Sequence, residues 1–127
     1  FRLMLNILAV FFGGGLGALT RYLTSLNMTR VLAVNVPLAT FTVNIIGSFL
    51  IGFLYILFVQ KSDLSPALKL ALTVGFCGGL TTFSTFSLEL FEMVKNAQYL
   101  HAFVYAILSV IICLIAVTVG VYCAKII

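Results

Sequence analysis

Residues 73–87 read Thr73-Val74-Gly75-Phe76-Cys77-Gly78-Gly79-Leu80-Thr81-Thr82-Phe83-Ser84-Thr85-Phe86-Ser87. They fall within an uncharged run of 19 residues, Leu70 to Leu88. A helix of about 18–20 apolar residues spans a ~30 Å hydrocarbon core, so the run is a candidate membrane crossing. Yet three of the five residues from Gly75 to Gly79 are glycine. Each costs roughly 1 kcal/mol in a helix interior, which argues for a break. Lipid cannot satisfy freed backbone groups, so a break at mid-depth must be buried in protein, line water or hold an ion. Close helix packing is the other use of such glycines. Thr81 and Thr82 can cap a second half-helix, which points to the break.

The rest of the chain has the same character. The uncharged runs Leu3–Thr20, Val31–Val59 and Ala102–Ala124 hold 18, 29 and 23 residues. The chain of 127 residues is 63% hydrophobic and 8% charged. Soluble domains are usually about 45–50% apolar and ~25% charged, so neither an ordinary soluble fold nor a disordered chain fits. The reading is an all-α membrane protein forming one domain over residues 1–127, with four transmembrane helices near residues 3–23, 38–59, 67–94 and 99–126. The third helix is expected to break in mid-membrane. The first run lacks the small-residue cleavage pattern of a signal peptide. Connectors are expected from Ser25 to Pro37, ending on the Asn35-Val36-Pro37 turn signal, from Gln60 to Pro66, and from Lys95 to Gln98.

An even number of spans puts Arg2, Lys61, Lys69 and Lys125 on one side and Arg21, Arg30 and Lys95 on the other. Orientation normally follows a Lys/Arg excess in cytoplasmic loops. Four against three gives almost none. Dual insertion suits an antiparallel homodimer; a single settled orientation is the alternative.

Several residues can carry chemistry. Five of the seven residues 81–87 bear hydroxyls and two are phenylalanine. Phe83 and Phe86 are three apart and share a helix face. Phenyl edges are electropositive, and with hydroxyl donors they suit a small anion without trapping it by fixed charge. Equally, Ser84 and Thr85 can bond back to their own helix. Asn44 either lines a polar path or bonds another helix. His101, Tyr105, Ser109 and Cys113 recur at spacing four on the fourth span. Arg21 either snorkels or faces a vestibule, where a cation concentrates anions. Glu89 has no obvious local partner and is placed against vestibule hydroxyls.

Other classes lack their signatures. The seven basic residues are dispersed, which gives no nucleic-acid footprint. Cys77, Cys113 and Cys123 have no metal-ligand spacing. Gly13–Gly17 is not followed by the Lys-Ser/Thr of a phosphate loop, and no acid–His–nucleophile set is evident, so the chain does not read as an enzyme. A proton-coupled exporter built on Glu89 and a non-transporting accessory subunit remain competing readings.

Three motifs resemble the bacterial fluoride-channel family (Fluc, also called CrcB) along essentially the whole chain. They are Gly14-Gly15-Leu16-Gly17-Ala18-Leu19-Thr20-Arg21-Tyr22, Asn44-Ile45-Ile46-Gly47-Ser48-Phe49 and the 73–87 stretch, the last being the most specific. The resemblance implies passive fluoride-selective channels of the bacterial inner membrane, working as antiparallel, dual-topology homodimers with two pores. It implies that Phe83 and Phe86 line the pores, that Asn44 is a pore-lining donor, and that Ser84, Thr85, Tyr105 and Ser109 lie along or beside the path. It implies a structural sodium ion at the dimer axis, held by backbone carbonyls at positions matching Gly78 and Thr81. Arg21 matches a vestibule arginine. One departure stands out: after Ser109 the fourth span offers Cys113 and Val117 where family members carry hydroxyls.

Overall fold

Lipid offers the backbone no hydrogen-bond partner, so segments this apolar form helices. The computed structural model describes residues 1–32, 37–60 and 63–127. Four helical stretches in it are long and apolar enough to cross a membrane, Arg2–Arg30, Leu38–Gln60, Pro66–Lys95 and Tyr99–Ile126. The chain is a multi-pass membrane protein.

Helix α1 runs from Arg2 to Leu32 and α2 from Leu38 to Gln60. The third stretch is composite. Helix α3 (Pro66–Leu70) leads into a π-helical turn (Ala71–Cys77) and then α4 (Gly78–Leu80). Helix α5 spans Phe83–Lys95 and α6 spans Tyr99–Ile126.

Helix α1 continues through Ser25, where the sequence reading opens a connector. Its 31 residues make a rod of roughly 46 Å. Nothing from Ser25 to Arg30 stops it: there is no Gly or Pro, and the Thr24 and Thr29 hydroxyls donate to the carbonyls of Thr20 and Ser25 at 2.8 Å. Of the expected turn signals, Asn35, Val36, Lys61 and Ser62 lie outside the described residues.

Ser65 starts α3, its Oγ accepting from the Leu68 N–H at 3.2 Å with Pro66 in the first turn. The turn between α5 and α6 closes on Ala97, which takes a left-handed φ of 59°. Its N–H donates to the Val94 carbonyl at 3.0 Å, and the Gln98 N–H to Met93 at 2.8 Å, a Schellman closure with alanine where glycine is usual.

Two close seams hold the bundle. In one, α1 packs on the π-helical turn and α4. A methyl group on Gly13 would collide with the Ala71 carbonyl, on Gly17 with the Phe76 carbonyl, and on Gly79 with the Gly14 carbonyl. In the other, Gly52 of α2 faces the Val117 backbone and Gly120 of α6 faces the backbone of Phe49 and Phe53. Between lipid-facing helices such contact comes from small residues, since burial of apolar surface drives little. Large apolar side chains such as Phe11, Phe12, Tyr122 and Ile126 accordingly point outward.

Two of the glycines at which the sequence reading expects a break serve these seams instead. Gly75 lies in the π-helical turn, and Gly78 and Gly79 lie in α4, so all three are helical. Gly75 and Gly79 pack on Gly13, Gly14 and Ala18 of α1. The extended residues are Thr81 (φ −84°, ψ 157°) and Thr82 (φ −152°, ψ 124°), which separate α4 from α5.

Candidate functional site

Asn44 explains why the backbone stays extended at Thr82. Its Nδ2 donates to the Thr82 carbonyl at 3.2 Å, and its Oδ1 accepts the Thr82 N–H at 2.8 Å. One side chain thus replaces two helical hydrogen bonds. Gly47, one turn along α2, leaves room for the Thr81 side chain. The Thr82 Oγ1 then caps α5, accepting from the Thr85 N–H at 3.2 Å.

The hydroxyls of the stretch divide by role. Thr81 Oγ1 turns back to the Cys77 carbonyl at 2.9 Å. Thr82 Oγ1 lies 3.2 Å from Thr85 Oγ1 and 3.3 Å from Ser84 Oγ, a chain of three alcohols at the head of α5. Ser84 is exposed and Thr85 half-buried.

The diverted donors leave carbonyls free. In a continuous helix the Gly78 carbonyl would accept from the Thr82 N–H, which goes to Asn44. The Thr81 carbonyl would accept from the Thr85 N–H, which goes to the Thr82 hydroxyl. Among the described residues neither carbonyl is bonded. The Gly79 carbonyl is taken by Arg21, whose Nε donates to it at 3.2 Å. Gly78 and Thr81 line an open recess of ≈ 370 Å³ together with Asn44, Thr73 and Phe83.

The Phe83 and Phe86 centroids are 5.7 Å apart at 46°. Phe86 is 7% exposed, whereas Phe83 is 78% exposed. Residues three apart on a helix are offset by about 60°, enough to send one ring inward and the other out. Phe86 continues to Tyr105 of α6 at 5.1 Å.

One turn beyond Phe86, Glu89 accepts two hydroxyls. Tyr105 donates to Oε1 at 2.8 Å and Thr40 to Oε2 at 2.9 Å. Thr40 also borders a pocket of ≈ 140 Å³ with Arg21, Ser25, Thr82 and Thr85. Arg21 thus borders the same pocket as Thr40, a residue that bonds Glu89.

The α6 stripe does not stay on one face. Tyr105 points to Glu89, while Ser109 is buried with the small residues Ala102 and Ala116. Its Oγ has no hydrogen-bond partner among the described residues. A spacing of four advances about 40° per step, so the stripe winds around the helix. Thr40 and the Gly79 carbonyl are the members that sequence reading missed. Thr40 lies one turn before Asn44 on α2, a spacing that could have flagged it.

The arrangement gathers hydroxyls, two aromatic rings and unbonded carbonyls between α2, α5 and α6, with Arg21 and Glu89 as the charged groups bonded to them. A family model described as "CrcB-like protein, Camphor Resistance (CrcB)" matches residues 8–121, which contain all of these groups. The chain belongs to the CrcB-like family. It is 48% identical to a protein of Gloeothece citriformis named "Fluoride-specific ion channel FluC", over 96% of this chain and 98% of that one. Proteins of the same name from a Hydrogenobaculum species and Hahella chejuensis are 45% and 40% identical, over 91% and 96% of this chain and 94% and 96% of theirs. The CrcB-like chain thus aligns with these relatives over nearly their whole length.

Proposed function

We propose that this chain is a fluoride-selective channel, not an enzyme, through which cytoplasmic fluoride leaves a bacterial cell passively across the inner membrane. The observation that carries the reading is the Asn44 clamp on Thr82. It holds open the segment that sets the Phe83 and Phe86 rings and three alcohols side by side. The shared name of the relatives supplies the ion.

Arg21, anchored through its Nε on the Gly79 carbonyl, keeps its charge and draws anions to the mouth. Beyond it, the Thr85 and Ser84 hydroxyls and the edges of Phe83 and Phe86 replace part of the ion's hydration shell. Ser109 brings a buried hydroxyl with no partner of its own. Neutral donors bind a small anion weakly enough to release it.

In this reading two chains pair antiparallel, giving two pores, with Thr81-Thr82 interrupting the third span at mid-depth. Support comes from the near-even charge of the two sides and from the exposed Phe83, Leu88 and Phe91 of α5. A structural sodium ion fits the unbonded Gly78 and Thr81 carbonyls, which are hard neutral oxygens; two copies supply four. Sodium would supply a hard cation for those carbonyl lone pairs to coordinate and would fix the two interruptions together.

Replacing Phe83 or Phe86 with Ile tests the pore assignment. Fluoride efflux from proteoliposomes should fall at least tenfold while the protein stays dimeric by size exclusion. Unchanged efflux in both variants removes the rings from the path. The half-buried Glu89, held by Tyr105 and Thr40, favours one other reading, a proton-coupled exporter. Efflux that survives collapse of the proton gradient rejects it.

A further inference from the structure

The Tyr105 hydroxyl reaches Glu89 only if its ring keeps one rotamer. Side-chain torsions occupy discrete staggered wells, and a ring with free space beside it can leave one for another. Such space exists. An apolar recess of ≈ 390 Å³ lies beside Tyr105, with Met93, Val104 and Leu108 among its walls. Phe41 of α2 also borders that recess, with its ring centroid 6.3 Å from Tyr105 at 56°. Phe86, the other ring against Tyr105 at 5.1 Å and 58°, does not border it. Of the two other aromatic rings that line the recess, Phe41 and His101, Phe41 is the one paired with the tyrosine ring. The residue before it, Thr40, bonds the second oxygen of the same carboxyl group at 2.9 Å.

We propose that Phe41 is a positioning residue: its ring fills the recess side of Tyr105 and keeps the tyrosine hydroxyl on Glu89. Adjacent residues of α2 then fix both ends of one carboxyl group, Thr40 directly and Phe41 through Tyr105. The consequence for transport rests on the fluoride-channel reading above; the consequence for the Glu89 hydrogen bond does not. Truncating Phe41 enlarges the recess, and the tyrosine ring swings into it. Phe41→Leu retains most of the bulk.

Two readouts test this on the full-length protein in liposomes. The first is the infrared band of the Glu89 carboxyl group, isolated by subtracting the spectrum of Glu89→Gln; with three acidic residues in the chain the difference is tractable. Phe41→Ala should shift this band in the same direction as Tyr105→Phe, and Phe41→Leu should leave it in place. The second is fluoride efflux. Phe41→Ala should slow it about tenfold, as expected for losing one hydrogen bond to a charged group. Phe41→Leu should stay within threefold of the parent. The double variant Phe41→Ala/Tyr105→Phe should be no slower than Tyr105→Phe alone, because both remove the same hydroxyl contact. If Phe41→Ala does not fold, Phe41→Val takes its place with an intermediate effect. A Glu89 band unmoved by Phe41→Ala overturns the proposal, as does a double variant in which the two losses multiply. A parent protein that passes no fluoride but whose band shifts as stated overturns the channel reading and leaves the positioning role intact.

Discussion

The glycine seams and the Asn44 clamp use opposite means to shape neighbouring parts of one bundle. At the seams, backbone meets backbone, and specificity comes from the absence of side chains at Gly13, Gly17, Gly52, Gly79 and Gly120. At the clamp, a single amide takes over the hydrogen bonds of a residue that has left the helix. The first device is intolerant of added volume and indifferent to polarity; the second is the reverse. A membrane protein needs both, since lipid neither squeezes helices together nor satisfies a stray carbonyl.

The sharpest break of the contrast is Gly120→Val. Its new methyl groups meet the Phe49 carbonyl, which is backbone and cannot move aside. A cost of about 3 kcal/mol or more is expected, read as loss of monodisperse protein in mild detergent. Next comes Asn44→Ala, which strands the Thr82 N–H and C=O. A loss of about 2 kcal/mol in thermal unfolding should accompany at least tenfold lower fluoride efflux. Asn44→Ala leaving efflux intact would detach the clamp from conduction.

Smaller changes sharpen the comparison from the favourable side. Ala97 holds a left-handed φ of 59°, so Ala97→Gly should stabilise by about 1 kcal/mol, seen as a higher unfolding midpoint. Gly15 has open space where a methyl would go, unlike Gly13 and Gly17 beside it. Gly15→Ala should therefore gain about 0.5–1 kcal/mol from helix propensity, in the same unfolding assay. A Gly15→Ala as damaging as Gly120→Val would show that glycine matters here for more than close approach.

The helices and their number were legible because an apolar run of membrane length has few alternatives. The site was legible in parts. The third stretch announces its hydroxyls and rings, and Arg21, Asn44 and Glu89 stand out as polar groups in apolar surroundings. The position of the extended residues was not legible. A glycine that permits a break and one that permits contact look alike until the partner helix is placed, and Gly13, Gly14 and Ala18 of α1 lie some sixty residues away in sequence. The same holds for Glu89, whose partners Thr40 and Tyr105 come from two other helices. The drift of the α6 stripe, which buries Ser109, follows from the mismatch between a spacing of four and a turn of 3.6 residues.

The most direct test uses purified protein in liposomes loaded with both fluoride and chloride, with potassium and valinomycin setting the voltage and a protonophore removing any proton gradient. Fluoride should leave within seconds of valinomycin addition while chloride stays inside. Chloride leaving alongside fluoride, or fluoride retained until a proton gradient is imposed, would contradict a passive, uncharged and fluoride-selective path past Phe83 and Phe86.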